Sequence, residues 1–368
     1  MYRIIVLSRR NITHPRAGGA SRYVHEIFQR LATKYDVTII SEGAASNESV
    51  QTIDGLTYVN VKGSMMRLRL PYSYIRRFVN DADVLVDNAD VGVPWFSPLY
   101  AKRPVITIIH QLVREIFYEE LPWFAATLGY FSEPALYKLY SRSTIVAMSE
   151  STAHDLRQLG IPSGNIRIIG PGCPYPANGS VPLEERSQTL IGCVSRLMRY
   201  KGVQFAIRAI GRIAEELPDL KLEIAGSGPY DGELRKLVNE LGLSSNVTFL
   251  GKVTEERKLR LYCEARSIIL SSIREGYGLS VIEANSVGTP AVGWKVPGLR
   301  DSIIADETGL LADFPNVDDL DRKIQSVMTD DRTWNRISEN AWKWAHNHSW
   351  DRSAQAFEET VESVLTKR

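Results

Sequence analysis

Ile268-Ile269-Leu270-Ser271-Ser272-Ile273-Arg274-Glu275-Gly276-Tyr277-Gly278-Leu279-Ser280-Val281-Ile282-Glu283-Ala284-Asn285 reads as one strand–loop–helix unit. Ile268 to Leu270 form a short, β-branched apolar run with strand character. The loop that follows carries a carboxylate between glycine-permitted turns, and a helix opens near Leu279. The next strand begins at Pro290 to Val292.

Outward from this stretch the same alternation repeats. In the second half strands are expected at Leu190–Val194, Leu222–Ile224 and Val247–Leu250. In the first half they are expected at Ile4–Leu7, Val37–Ile40, Tyr58–Val61, Val84–Val86, Val105–Ile109, Thr144–Met148 and Ile166–Ile169. Strands alternating with helical patterns imply parallel α/β sheets. The best helix of the first half follows Gly18-Gly19, with Val24, Ile27, Phe28 and Leu31 on one face. Pro171 to Gln188 is rich in Pro, Gly and Ser and lacks periodicity, as a linker does. The expected organisation is an N-terminal Rossmann-like domain (1–175), a linker (176–188), a C-terminal Rossmann-like domain (189–349) and a closing helix (350–368). In that helix Ala354, Phe357, Val361 and Leu365 share a register.

Composition narrows the function. The 368 residues hold 44 Lys+Arg against 43 Asp+Glu, a net charge of +1, with 44% hydrophobic and 24% charged residues. This is the make-up of about two globular domains. A nearly neutral chain lacks the strongly basic face that general nucleic-acid binding requires. Cys173, Cys193 and Cys263 form no metal spacing and no even disulfide set, so cytoplasmic residence is expected. The apolar run Ile4–Leu7 is too short for a signal peptide, and Leu121 to Tyr140 is interrupted by Glu133, Pro134 and Lys138, so no membrane span is expected.

Two clusters carry chemistry. Glu275 and Glu283 border the start of the helix near Leu279, where backbone amides without intrahelical partners favour an anion. Arg196 and Lys201 lie in Gly192 to Gly202, again after a strand and before a helix. A planar fork and a point charge together suit a diphosphate. Strand carboxyl ends in open α/β sheets are where ligands bind.

These residues are the ones in which the chain resembles the retaining glycosyltransferases of the GT-B fold, glycosyltransferase family 4. The resemblance rests on Glu275 to Ala284 followed by Gly288-Thr289-Pro290, on Ser195-Arg196-Leu197 with Lys201-Gly202, and on Ala225-Gly226-Ser227-Gly228-Pro229. In the first half it extends more weakly to Gly18-Gly19, His110 and Ser149-Glu150-Ser151. It implies two Rossmann-like domains facing each other across a cleft, with residues 350–368 crossing back to the first. It further implies transfer of a sugar from a nucleotide-sugar donor, a UDP- or GDP-sugar, to a hydroxyl of a glycolipid, polysaccharide or glycan, without metal or other cofactor. By the same resemblance Glu275 contacts donor-sugar hydroxyls, the amides of Gly278, Leu279 and Ser280 hold the distal phosphate, and Glu283 binds the ribose. Arg196 and Lys201 neutralise the diphosphate, Gly18 and Gly19 admit it closely, Gly226 and Gly228 belong to the donor site, and His110 lies near the transferred sugar. Loss of Glu275 or Lys201 is expected to abolish transfer with little loss of fold. The chain departs from the pattern at Gln111, Asn285 and Val296-Pro297-Gly298.

Two other readings use the same residues: a nucleotide-sugar epimerase or phosphorylase, and a non-catalytic nucleotide- or glycan-binding protein. Asp81-Ala82-Asp83 precedes its strand instead of following it, which argues against a metal site there. Gly226-Ser227-Gly228 lacks the third glycine of a dinucleotide fingerprint. Finally, 62–77 interleaves five cations with apolar residues and 117–140 is aromatic-rich, as expected of a peripheral protein on an anionic inner membrane face receiving a lipid-linked acceptor.

Overall fold

The computed structural model describes residues 1–42, 49–61, 66–89, 95–175 and 179–366. The chain divides into two compact units, one of Met1–Arg114, Leu128–Gly172 and Ser349–Arg368, the other of Glu115–Thr127 and Cys173–His348.

In the first unit the described residues form an eight-stranded sheet. Its strands are β1 (Arg3–Arg10), β2 (Asp36–Glu42), β3 (Ser49–Ile53), β4 (Leu56–Val61), β5 (Val84–Ala89), β6 (Val105–Ile109), β7 (Thr144–Ala147) and β8 (Ile166–Ile168). They lie in the order β3-β4-β2-β1-β5-β6-β7-β8. All neighbours run parallel except the β3–β4 pair. The helices of this half are α1 (Gly19–Leu31), α2 (Met66–Arg77), α3 (Ile116–Glu120), α4 (Trp123–Lys138) and α5 (Glu150–Gln158), of which α3 and the start of α4, up to Thr127, belong to the second unit. The α1 face expected from the sequence is buried through Val24, Ile27, Phe28 and Leu31.

The second unit is built on β9 (Ser187–Val194), β10 (Lys221–Ala225), β11 (Val247–Gly251), β12 (Ala265–Leu270), β13 (Ala291–Trp294) and β14 (Gly309–Ala312), in the order β11-β10-β9-β12-β13-β14. Its helices are α6 (Val203–Ile213), α7 (Asp231–Glu240), α8 (Glu255–Glu264), α9 (Leu279–Asn285), α10 (Leu299–Ser302), α11 (Val317–Thr329) and α12 (Asp331–His346). The strand order reverses between β9 and β12, so the loops leaving these two strands diverge and open a crevice at their carboxyl ends. Every sequence-derived candidate of the second half except Gly226, Gly228 and Glu283 lies in those two loops or in the first turn of α9.

The last helix, α13 (Trp350–Thr366), is part of the first unit. Phe357 packs edge-on against Phe28 at 5.0 Å, and Arg30 and Lys34 pair with Asp351 and Glu358 at 2.6 and 2.9 Å. The apolar contact carries this packing, since exposed pairs contribute at most about 1 kcal/mol each, whereas truncating a buried Phe costs about 3–5 kcal/mol. Gly172 permits the approach: a Cβ there would lie 2.1 Å from the Trp350 nitrogen.

Candidate functional site

The loop after β9 and the loop after β12 are locked to each other before any candidate side chain is considered. Gly202 has φ +67° and a Cβ on it would fall 1.8 Å from the Ser271 carbonyl oxygen, so only glycine admits this contact. The Ser271 hydroxyl donates to the Gly202 carbonyl at 2.7 Å, and the Ile273 amide donates to the Tyr200 carbonyl at 3.0 Å. Lys201 and Glu275 thus face each other across a rigid seam. The Lys201 ammonium donates to Glu275 Oε1 at 2.6 Å, and the Ser272 hydroxyl donates to the same oxygen at 2.7 Å. Burial opposes the charge on Lys201, but the Glu275 carboxylate and Tyr200 outweigh it, and its pKa is raised. Arg196 is exposed and donates to the Tyr200 hydroxyl at 3.0 Å.

The Glu275 backbone is held from the far side. Its amide donates to the Pro297 carbonyl at 3.0 Å, and Gly298, at φ +83°, lies so close that a Cβ would be 2.1 Å from the Glu275 carbonyl oxygen. The unusual Val296-Pro297-Gly298 therefore supplies the one residue type that packing on Glu275 allows. Gly226 and Gly228 serve a similar purpose, since Cβ atoms there would meet the Ser195 and Leu197 carbonyl oxygens at 1.7 and 2.2 Å.

At the start of α9, Gly278 adopts φ +84° and caps the helix, and the Ser280 hydroxyl donates to the Val194 carbonyl at 2.9 Å. The amides of Leu279 and Ser280 belong to the helix turn whose N–H groups lack intrahelical acceptors. Glu283, further along, is buried and accepts from Lys258 Nζ at 2.9 Å and from the Tyr262 hydroxyl at 2.8 Å.

The first unit holds the remaining candidates. Gly18 is extended (φ −150°) at the start of α1, and a Cβ there would meet no protein atom within 4 Å. Neither backbone conformation nor packing demands glycine at that position. His110, at the end of β6, is buried with Nε2 against Asn88 Oδ1 at 2.6 Å and Nδ1 against Met148 Sδ. Both ring nitrogens face protein atoms, and the Tyr23 ring stands edge-on to the imidazole at 5.6 Å.

Several residues of the site have no counterpart in the sequence reading. Lys258 and Tyr262 sit one turn apart on α8, a spacing that marks one helix face but names no partner. Three acids of the first half join the second unit: Glu115 pairs with Arg274 at 2.8 Å, Glu119 with Arg199 at 3.1 Å, and Glu120 accepts from the Tyr200 amide at 3.0 Å. They brace the residues that immediately precede Glu275 and Lys201. Among the described residues no group of three or more His, Cys, Asp or Glu is placed to hold a metal ion.

Comparison with known proteins finds matches along both halves of the chain. Residues 180–344 match the family described as Glycosyl transferases group 1, and residues 17–174 match Glycosyltransferase Family 4. The D-inositol 3-phosphate glycosyltransferase of Corynebacterium urealyticum is 29% identical over 217 residues, covering 56% of this chain and 50% of that protein. The chain thus spans about half the length of such curated relatives. The GDP-mannose-dependent alpha-(1-6)-phosphatidylinositol monomannoside mannosyltransferase of Mycolicibacterium smegmatis is 23% identical over 365 residues, covering 91% of this chain and 92% of that one. Among solved structures, the sucrose-phosphate synthase of Thermosynechococcus elongatus superposes with a TM-score of 0.81 at 19% identity, covering 100% of both chains. Anabaena HepE in complex with UDP-glucose gives 0.80 at 17% identity, covering 99% of this chain and 100% of that one. At such identities the likeness shows the fold, the GT-B fold of two Rossmann-like domains.

Proposed function

The chain belongs to the glycosyltransferases of group 1 and family 4, and on that premise we propose that it moves a sugar from a nucleoside-diphosphate donor to an acceptor hydroxyl with retention of the anomeric configuration and without a metal ion. The observation that carries this reading is the Lys201–Glu275 pair, 2.6 Å apart at the β9–β12 reversal beside Arg196. An ammonium has three donors, so Lys201 can hold Glu275 and a diphosphate oxygen together. In the proposed step the bond from the anomeric carbon to the diphosphate breaks, and the acceptor oxygen bonds that carbon on the same face. The acceptor proton passes to the departing phosphate. Lys201 and Arg196 oppose the charge that builds on the leaving group, and Glu275 accepts hydrogen bonds from the donor sugar's hydroxyls. A fixed charge aimed at a developing anion contributes on the order of 3–4 kcal/mol to such a step. The vicinal hydroxyls of the ribose fall to Glu283, and the first amides of α9 to the distal phosphate.

The relatives' names support the reading of a phosphorylated polyol or a phosphatidylinositol-type glycolipid as the acceptor. Two faces support delivery from an anionic membrane surface. Along α4, Trp123, Phe124, Leu128 and Phe131 are 77%, 63%, 72% and 72% exposed. On α2, Arg69, Tyr72, Ile75, Arg76 and Arg77 are all exposed, while residues 62–65 of that basic segment lie outside the described residues. No described helix is long and apolar enough to cross a membrane.

Incubation with UDP-, GDP- and ADP-sugars, each with inositol phosphate or phosphatidylinositol vesicles and with chelator present, tests the reading. The expected result is a glycosylated acceptor whose new linkage keeps the donor's anomeric configuration by NMR. A rearranged donor formed without acceptor, or an inverted product, would overturn it. Sedimentation with phosphatidylglycerol against phosphatidylcholine vesicles tests the membrane part, and equal recovery with both would refute it.

A further inference from the structure

Glu283 lies inside the second unit with its side chain only 8% exposed, and a buried carboxylate is tolerated only when its charge is answered and its oxygens are bonded. Both needs are met from α8. Lys258 Nζ reaches Oε1 at 2.9 Å, with a second bond to Glu255 at 3.0 Å that ties the ammonium to its own helix. The Tyr262 hydroxyl reaches Oε2 at 2.8 Å from a fully buried ring. Burial and the neighbouring carboxylate hold this phenol protonated, so Tyr262 donates and Glu283 accepts. The tyrosine is itself anchored, because its carbonyl accepts from Arg186 at 3.0 Å and from the Thr289 hydroxyl at 2.5 Å.

A carboxylate offers about four acceptor positions in one plane. With one donor fixed on each oxygen, that plane cannot rotate, and the positions turned toward a ligand are set before it arrives. We propose that Lys258 and Tyr262 are positioning residues that aim Glu283 at the two vicinal hydroxyls of the donor's ribose, and so make the site select ribonucleotides over deoxyribonucleotides. The inference rests on the nucleotide-sugar reading above. A vicinal diol presents two donors at fixed separation, which a pinned carboxylate matches and a swivelling one matches only part of the time. Lys258 has a second effect: its ammonium, 2.9 Å from Oε1, answers the charge of the buried carboxylate from the α8 side and leaves the remaining acceptor directions to the ligand.

Calorimetric titration of the full chain with UDP, GDP and ADP identifies the base, and the 2′-deoxy and 3′-deoxy diphosphates of that base then measure the sugar preference. The intact chain is expected to favour the ribonucleotide by about tenfold or more, the scale of one hydrogen bond to a charged group. Tyr262→Phe and Lys258→Met should each cut that preference to about threefold or less, and Lys258→Arg should restore most of it. Leu234→Ala, a core truncation in the same unit, should lower Tm and leave the preference unchanged. If Tyr262→Phe fails to fold, Lys258→Met and its arginine rescue decide alone. An intact chain with no ribose preference, or variants that bind with the preference undiminished, would overturn the proposal. An intact chain that binds no nucleoside diphosphate would overturn the nucleotide-sugar reading, and this inference with it.

Discussion

Lys201 and Glu275, 74 positions apart in sequence, meet at 2.6 Å with side chains only 13% and 11% exposed. A pair this well buried is part of the fold as well as of the proposed chemistry. The sequence alone led to the expectation that losing either residue spares the fold; the geometry points the other way.

Removing one partner strands the other's charge, which costs about 3–5 kcal/mol in a buried site. Lys201→Met and Glu275→Leu should each lower the urea midpoint clearly and reduce transfer by 10²-fold or more, on the order of one lost transition-state donor. The double variant should regain much of the stability and none of the turnover. Equilibrium unfolding beside a product assay separates the two effects.

Asp87 should make stability depend on pH. It is wholly buried within β5, and burial lifts its pKa from 3.8 to about 7 despite bonds from Ser97 and Tyr140. Between those two values the folded state holds a proton that the unfolded state has released. Stability from this group is therefore greatest at low pH and falls as pH rises from about 4 to about 7, by about 1.4 kcal/mol per unit at most. Asp87→Asn should flatten that slope. Urea titrations at pH 5 and pH 8 on both proteins measure it.

Arg186 is buried, forms no ion pair with a carboxylate among the described residues, and donates instead to the carbonyls of Val181, Tyr262, Cys263, Ala265 and Val287 and to the Thr289 hydroxyl. Burial lowers its pKa to about 10, so it remains charged at neutral pH. Arg186→Met orphans a set of carbonyls at about 1–3 kcal/mol for each one left dry. Tm should fall by 10 °C or more, at roughly 2–4 °C per kcal/mol. Arg186→Lys, with three donors in place of five, should recover only part.

Gly18 and Gly202 should respond oppositely to alanine. Gly202→Ala meets both a left-handed backbone and a carbonyl 1.8 Å away, and should destabilise by several kcal/mol. Gly18→Ala meets no protein atom within 4 Å and should leave the unfolding midpoint within about 0.5 kcal/mol of the parent. If the donor diphosphate approaches the start of α1, the same variant should nonetheless raise KM for the donor. Thermal melts and donor saturation curves on the two variants check both halves.

The alternating strands and the β12 loop were legible in the sequence because burial on both sheet faces forces continuous apolar runs. Two strands were not. β3 is an exposed edge, Ser-Val-Gln-Thr-Ile, whose alternation is too weak to mark it, and β14 is four residues long. Arg196, Lys201 and Glu275 stood out because charge in the loop after a buried strand is conspicuous, and Glu283 because it follows Glu275 by eight positions in the helix that this loop opens. Their supports did not. Lys258, Tyr262, Glu115 and Glu120 act through contacts 21 to 159 positions away in the chain, and nothing in their local patterns announces such a partner. Gly298 looked like a departure from a motif until its distance from Glu275 gave it a reason.

Neither unit is a single stretch of chain, and this bears on how the protein is made. The first unit takes the Phe357 ring into its core from a helix that closes at Thr366. Synthesis runs from the N-terminus at about 5–20 residues per second, so the half that emerges first is the half that waits. Its exposed α1 face must stay clear of wrong partners for about 16 to 65 seconds at that rate, while the second unit is translated and has all its own strands at hand. A stop codon at Trp350 would spare every strand of both sheets and still leave the earlier-made unit incomplete.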